Sequence, residues 1–567
     1  MNAYRIRVRV LLGFFICIAC VVAIKLYLLQ IVHGSEYMQR ANRQAVRPQA
    51  GVFDRGGISF TDRTGKEIAA ATLKAGYIVA MKPSDVTNPE SEYKALLGIV
   101  QIDHDTFITK ANKRNDPYEE LLHKVTQDQA SAISALKLPG IILEQEQWRF
   151  YPGGPLASQV IGFVAYDGNA LKGRYGLEQY YNDVLGTSGD SLYVNFFAEI
   201  FSSARQVFGS KDDARGDLIT SIEPSVQQEL ERELKGVVDE WHPSRVGGII
   251  MDPMTGEIYA MGTYPTFDLN QFGTSDASAY ANPMVQNIYE MGSIIKPLTV
   301  AAGLDMGTIT SDTTYDDKGC ISVDKSKICN YDLKARGVIP VQEILNQSLN
   351  LGVSFIVGKM GNQSFSDYMR KYGLGEETGI DLPGEQAGHI ANLNSPRQVE
   401  HFTASFGQGI AITPIETTRA LASLGNGGLL VTPHVVRAIR TKTGIVRQLS
   451  QPDPIRVLKP ETSREISRML TVVVDKALAN GTTKLEHTSV AAKTGTAQIA
   501  DPATGGYFPD RYLHSFFGYF PSYNPKFIIF LYAYEPQHVN YASQTLTAPF
   551  VHLTRFLLNY YEVPPDR

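Results

Sequence analysis

With 567 residues, 43% of them hydrophobic and 20% charged, the chain has the composition of a folded protein with several cores, and about two to four domains are expected. Its 53 basic and 58 acidic residues give a net charge of −5, which excludes the basic face that nucleic acid binding requires. In chain order, Arg5, Arg7 and Arg9 come first, followed by an apolar run from Val10 to Ile24 that resumes after Lys25 from Leu26 to Leu29. About 20 such residues span a bilayer. The arginines hold a short tail (1–9) inside, Lys25 reaches towards the outer headgroups, and 10–32 reads as a transmembrane anchor with the rest of the chain outside. A cleaved signal peptide competes with this reading, but the run is long for one and lacks a small-x-small cleavage site. Ile18, Ala19 and Cys20 hint at a lipoprotein site, with Cys17 where leucine would stand.

Gln30 to Gln44 suits a helix leaving the membrane, and from Ala50 short β-prone runs alternate with Gly, Pro and Asp turns, as in an extended, mostly β pedestal. Glu90–Val100 and Asp116–Leu136 read as charged helices, so an α/β insertion is expected there. The Gly, Ser and Asp-rich stretch 186–216 marks a boundary, giving a first domain at 33–215 and a second at 216–567. In the second, Glu223–Val238 is helical, and Gly247–Asp252 with Glu257–Met261 forms a hairpin. A strand pair at the far end is expected in Ser489–Ala500 and Ser515–Tyr534. Helices are expected between the two pairs, at Ile294–Leu304, Val341–Met360, Phe365–Tyr372, Pro414–Leu424 and Glu461–Ala479. Strands at both ends with helices between predict an α+β fold, an antiparallel sheet closed by distant segments and covered by helices.

Cys320 and Cys329 lie in the exported part, where an oxidising compartment allows a disulfide across a short loop. Two free thiols are the alternative, and zinc is disfavoured because no histidine stands near.

Three short patterns carry chemistry: Ser293-Ile-Ile-Lys296, Ser348-Leu-Asn350 and Lys493-Thr494-Gly495-Thr496. Each alone is weak. Ser-x-x-Lys also begins at Ser91, Ser134 and Ser322, and Lys-Thr-Gly recurs at Lys442. Context separates them. Ser293 follows Gly292 and opens a helical run, where the helix dipole favours negative charge on an attacking oxygen, and Lys296 projects from the same face one turn later. Lys493 stands in a small-residue strand, with Gly495 allowing close approach of a substrate backbone. Ser348 and Asn350 fall between two helical runs, where a helix cap is the plainer reading. Ser91 and Ser134 sit in polar helices, Ser322 in a charged loop, and Lys442 in a solvated turn. No Gly-x-Ser-x-Gly elbow, Walker loop or helical zinc pair is present, and no metal or organic cofactor is implied.

These residues resemble the penicillin-binding transpeptidases, specifically the class B members with a bilayer anchor and a non-catalytic pedestal. The resemblance extends over nearly the whole chain through Arg55-Gly-Gly-Ile58 with Asp62-Arg63-Thr64-Gly65, Arg149-Phe-Tyr-Pro152, Gly162-Phe163, Gly176-Leu-Glu178, Asp252-Pro-Met-Thr-Gly256 and Gly292-Ser293-Ile-Ile-Lys296-Pro297. Two extra residues before Asp62 keep strand parity and predict a longer strand or a bulge. Thr378-Gly-Ile-Asp-Leu-Pro-Gly384, Ser405-Phe-Gly-Gln-Gly409 and Glu535-Pro-Gln537 look more like the septal, division-associated branch than the elongation branch. Nothing resembling a glycosyltransferase precedes the second domain, and no accessory module is expected after it.

The resemblance implies a single-pass protein of the bacterial cytoplasmic membrane with its catalytic domain outside, working on peptidoglycan stem peptides, inhibited by β-lactams, and partnered by a SEDS-type glycan polymerase and other division proteins. It implies that Ser293 attacks the carbonyl between two terminal D-alanines, with the backbone amides of Ser293 and Thr496 as oxyanion hole. Lys493, Thr494 and Thr496 would hold the terminal carboxylate, Ser348 would relay a proton, and Asn350 would bind the substrate amide. Lys296 is the base one turn away, so its pKa must fall from about 10.4 to near neutrality, a cost of roughly 4 kcal/mol. Burial and the charge of Lys493 push it that way, which predicts Lys296 neutral and Lys493 charged. A D,D-carboxypeptidase differs only in passing the acyl group to water, and a β-lactamase or β-lactam sensor shares the three patterns. A division scaffold would tolerate a broken catalytic set.

Overall fold

A computed structural model of the chain describes residues 54–167, 170–186 and 215–567. The expected anchor, the helix at Gln30–Gln44 and most of the 186–216 boundary stretch lie outside the described residues. Among the described residues no helix is long and apolar enough to cross a membrane.

The chain packs as two compact units. One comprises Lys74–Trp148 and contains the later part of the strand Glu67–Met81, helices Pro89–Leu97, His104–Ala111 and Gln127–Leu136, and strands Glu119–Val125 and Ile141–Phe150. Each helix starts at a side-chain cap: Asn88 accepts from Ser91 N, Asp103 from Thr106 N, and Thr126 forms a capping box with Gln129. Val79, Met81, Leu96, Phe107 and Ile133 close the core between helices and strands. The segment Glu119–Val125, expected as part of a helix, is a strand pairing Tyr77 with Val125 and Val79 with Leu122. Its Glu, Leu and Lys content favours helix locally, and the tertiary pairing overrides that weak preference.

The second unit comprises Arg55–Leu73 and Arg149–Arg567, so residues 55–73 and 149–186 pack with the carboxyl-terminal part. What holds them there is legible in the residues. Arg55 Nε and Arg149 Nε each donate to the Glu178 carboxylate at 2.6 Å, and all three side chains are buried. The bulge expected before Asp62 is present, a register shift at Ile58/Ser59 where the strand Ile58–Thr61 pairs with Glu67–Ala71.

The sheet of this unit has five strands: β1 (Arg245–Met251), β2 (Ile258–Tyr264), β3 (Ala491–Asp501), β4 (Gly506–Phe520) and β5 (Phe527–Tyr534). They run antiparallel in the order β3-β4-β5-β1-β2, so that chain segments more than 200 residues apart meet at β5 and β1. The run Ser515–Tyr534, expected as one strand, is two, separated by a turn that begins at Pro521. Both faces are covered, so the strands read as continuous apolar sequence without the period-two signal that would have divided them. Phe516, Ile529 and Leu531 face helices Pro224–Trp241 and Thr547–Tyr560 through Leu230, Leu234, Phe550 and Leu553. Phe517 and Phe530 face the opposite core with Ile294, Leu298 and Ala301. Leu298, fully buried, contributes about 1.5–3 kcal/mol by burial. Strand β3 is an edge strand, and its free side is where the chemistry-bearing residues collect.

Candidate active site

Residues Gly292–Ile295 form one 3-10 turn that leads into the helix Lys296–Met306, with Pro297 in its first turn. Gly292 has φ +66, and a Cβ there would stand 2.9 Å from Thr496 O; Gly407, with φ +78, would clash with Gly292 O at 2.3 Å. Glycine at both places lets the Ser405–Gly409 loop and β3 press against the turn that carries Ser293. Ser293 is partly exposed, whereas Lys296 is completely buried.

Ser348 sits between helices Gln342–Asn346 and Asn350–Met360 with φ +55, a left-handed conformation that a serine adopts at a cost. That conformation makes it the hub of the site. Lys296 Nζ donates to Ser348 O at 2.5 Å and to Ser348 Oγ at 3.2 Å, and Lys493 Nζ donates to Ser348 Oγ at 3.1 Å and to Thr494 O at 2.9 Å. Asn350 Nδ2 donates to Cys329 O at 2.9 Å. Cys320 and Cys329 stand directly opposite each other in the hairpin Cys320–Val323/Ser326–Cys329 and form a disulfide with a Cα separation of 4.1 Å. Asn330 ties the same hairpin to the helix, donating to both Asp317 oxygens at 2.9 Å and accepting from Leu351 N at 3.2 Å.

Burial, and then the neighbouring charge of Lys493, holds the Lys296 amine well below the usual lysine range. Burial alone brings Lys493 down to about 7. Both causes favour the neutral form of Lys296, the direction the sequence analysis expected. Lys493, expected to be charged, is instead poised close to neutrality, and an incoming carboxylate would draw its proton on.

Gly495 lies where β3 packs against this turn. A Cβ there would lie 2.4 Å from Ser515 Oγ and 2.9 Å from Met291 O, which accepts from Ser515 Oγ at 2.8 Å. Gly495→Ala is expected to displace the 291–293 segment and slow acylation of Ser293 by about 10²-fold, measured with a chromogenic β-lactam, because reacting groups misplaced by about 1 Å lose that much.

The structure brings Lys296, Ser348 and Lys493 together by hydrogen bonds, with Ser293 on the turn that leads into the Lys296 helix, Asn350 opening the helix after Ser348, and Thr494, Gly495 and Thr496 on the edge strand. It leaves the repeated patterns apart: Ser91, Ser134 and Ser322 are exposed, and Lys442-Thr443-Gly444 is the turn of the hairpin Val436–Thr441/Val446–Gln448. Two residues at the site, Glu290 and Tyr507, carry no sequence signal. Glu290, three before Ser293, accepts from Gly409 N at 3.0 Å and from the Tyr507 hydroxyl at 2.9 Å. No spacing rule singles out an acidic residue there. Thr496 Oγ1 accepts from Ala542 N at 3.1 Å, which fixes the following loop against β3.

A sequence profile of the penicillin binding protein transpeptidase domain matches residues 246–553, and one of the penicillin-binding protein dimerisation domain matches residues 54–195. The chain is 29% identical over 565 residues to "Stage V sporulation protein D" of Bacillus subtilis, covering 96% of this chain and 84% of that protein. It is 28% identical over 572 residues to "Probable peptidoglycan D,D-transpeptidase PenA" of Neisseria gonorrhoeae, covering 98% and 93%. In fold it is similar to penicillin binding protein 3 of Mycobacterium tuberculosis complexed with ampicillin, with a TM-score of 0.68 and 22% identity over 91% of this chain and 96% of that one. With one buried lysine beside the Ser293 turn, a second on the edge strand, both hydrogen bonded to one serine hydroxyl, and the transpeptidase profile matched over more than half its length, the chain belongs to the penicillin-binding protein transpeptidases.

Proposed function

We propose that the chain is a peptidoglycan D,D-transpeptidase of the division septum, anchored by residues 10–32 in the bacterial cytoplasmic membrane, with a pedestal at 33–215 and the catalytic domain at 216–567 outside. The observation that carries the reaction is the Ser348 hydroxyl held between Lys296 and Lys493 at 3.2 and 3.1 Å beside the turn of Ser293.

Neutral Lys296 takes the proton of Ser293 as its oxygen attacks the carbonyl between the terminal D-alanines of a stem peptide. The oxyanion is stabilised by the backbone amides of Ser293 and Thr496, donors worth about 3–4 kcal/mol each in such sites. The proton passes from Lys296 through Ser348 to the leaving amine, the C–N bond breaks, and D-alanine departs. Thr494, Thr496 and Lys493 hold the terminal carboxylate, whose arrival favours the charged form of Lys493. An amine of a neighbouring stem peptide then attacks the Ser293 ester and restores the free hydroxyl. β-Lactams place their ring carbonyl at the same point, and the leaving nitrogen stays tethered. Support for the substrate comes from the relative named a peptidoglycan D,D-transpeptidase, and support for β-lactam binding from the ampicillin complex of the similar fold. The Arg5, Arg7 and Arg9 pattern before the apolar run supports the anchor, and the septal resemblance supports a SEDS-type polymerase and other division proteins as partners.

The test is labelling of the full-length chain with a fluorescent penicillin, followed by mass mapping. The adduct is expected on Ser293, absent in Ser293→Ala and retained in Ser322→Ala. No adduct on well-folded protein would favour a scaffold, and hydrolysis of a D-Ala-D-Ala donor without transfer to an added amine would favour a carboxypeptidase.

A further inference from the structure

Strands β3 and β4 place Thr496 and His514 directly opposite one another, so their side chains lie on one face of the sheet, the face from which Phe516 packs on Phe550. Both meet the short helix Ala542–Thr545. Ala542 N donates to Thr496 Oγ1 at 3.1 Å, and fully buried His514 has its Nδ1 2.9 Å from Thr545 Oγ1. The helix is thus held at both ends by two neighbouring side chains, one of which belongs to the set that binds the donor carboxylate. We propose that His514 is a positioning residue for that carboxylate, acting through Thr545 and Ala542 on the hydroxyl of Thr496. The proposal rests on the transpeptidase reading.

A hydroxyl has one proton to give and two acceptor positions. Ala542 N–H fills one acceptor position of Thr496 Oγ1, and among the described residues nothing accepts the Thr496 proton, which leaves it for an incoming carboxylate. If the Ala542 N–H swings away, the Thr496 hydroxyl rotates freely and its charge-assisted bond to the carboxylate weakens.

The chemistry of His514 fits such a role. Thr545 Oγ1 gives its own proton to Ala542 O at 3.3 Å, which assigns Nδ1–H of His514 as the donor to Thr545 and leaves Nε2 bare. Nε2 is buried without a partner. Burial brings the imidazole down to about 4, so the ring is neutral, and the Asn540 carbonyl is the neighbour that acts against that shift. A buried imidazole with an unused nitrogen costs more than an apolar side chain on the face it shares with Phe516. The bond to Thr545 is what an apolar side chain does not supply. The plainer alternative is that His514 only fills space beneath the helix.

The two readings separate when acylation of Ser293 in the full-length chain is timed with benzylpenicillin and with its methyl ester, which lacks the carboxylate. His514→Leu keeps the bulk and removes Nδ1, and it is expected to cut the preference for the acid over the ester about ten-fold, as the weakening of one hydrogen bond to a charged group gives. His514→Asn, whose side-chain amide reaches the place of Nδ1, should restore the preference. Thr545→Val removes the same bond from its other side and should match His514→Leu, so it carries the test if His514→Leu does not fold. A preference unchanged in Thr545→Val, or one lost in His514→Leu and left unrepaired by His514→Asn, makes His514 a packing residue and overturns the proposal. An unaltered chain that takes acid and ester equally on Ser293 overturns this inference alone, whereas one that takes neither overturns the transpeptidase reading itself.

Discussion

Lys296→Met is expected to be acylated by penicillin about 10³-fold more slowly than the unaltered chain, with its stability changed by no more than about 1 kcal/mol. A positioned general base contributes roughly 10²–10⁴-fold, and the proposed mechanism gives that role to Lys296, while Lys493 donates to Ser348 Oγ and Thr494 O. Stability survives because two effects oppose. Methionine fills nearly the same volume without the desolvation that a buried amine carries, but Ser348 O loses the donor it has at 2.5 Å. Stopped-flow acylation and urea unfolding measure the two halves separately. A stable, folded Lys296→Met chain that acylates within ten-fold of the unaltered rate would remove Lys296 from the role of base.

The same lysine leaves a mark on the pH dependence of stability. Where a lysine has a lower pKa folded than unfolded, the unfolded chain holds more protons at every pH between the two values, so unfolding free energy rises with pH across that window. For Lys493 the window runs from about 7 to the ordinary lysine value, and Lys296, held well below that value, adds to the slope over the upper part of the range. The unaltered chain should therefore gain stability between about pH 8 and 10 more steeply than Lys296→Met, which keeps only the Lys493 contribution. Equal slopes would mean that Lys296 keeps its proton when folded.

The parts of the site written in contiguous residues were legible in the sequence. Gly292-Ser293-Ile-Ile-Lys296-Pro297 reads as a turn into a helix, and its glycine, first-turn proline and following apolar run are local signals that the observed turn and helix repeat. The Lys493 strand was legible for the same reason, being small residues around Gly495 on an edge. Ser348 is different. Residue-level reasoning made it a helix cap, and only the resemblance gave it chemistry, because its role depends on φ +55 and on two lysines 52 and 145 positions away. Glu290 and Tyr507 were missed because a pair 217 residues apart leaves no periodic trace. The misread strand Glu119–Val125 shows the converse, since its composition favours helix and its pairing partner, Tyr77–Met81, lies some forty residues earlier. Arg55, Arg149 and Glu178 were noted as resemblances without a physical reason, and the structure supplies one.

Glu178→Gln should lower the stability of the unit that contains the active site by about 3–5 kcal/mol, the range for removing one partner of a buried ion group. Glu178 is fully buried and is the anion for two guanidinium groups, with Tyr151 OH at 3.3 Å as a further donor and its own carbonyl accepting from Arg55 Nη2 at 2.8 Å. Glutamine keeps one oxygen and turns an amide N–H₂ towards one of the arginines, so a donor meets a donor and both positive charges lose their counterion. Arg149 has nothing to fall back on: Nη1 already donates to Gly56 O at 2.8 Å, and buried Nη2 has no partner. If charge is the cause, replacing all three residues by apolar ones, Arg55→Leu, Arg149→Met and Glu178→Met, should recover most of the loss, since a buried ion group is close to neutral against a well-packed hydrophobic substitute. If the loss persists in the triple variant, the arginine hydrogen bonds to Gly56 O and Glu178 O hold these segments in place, and urea unfolding of the single and triple variants side by side decides between them.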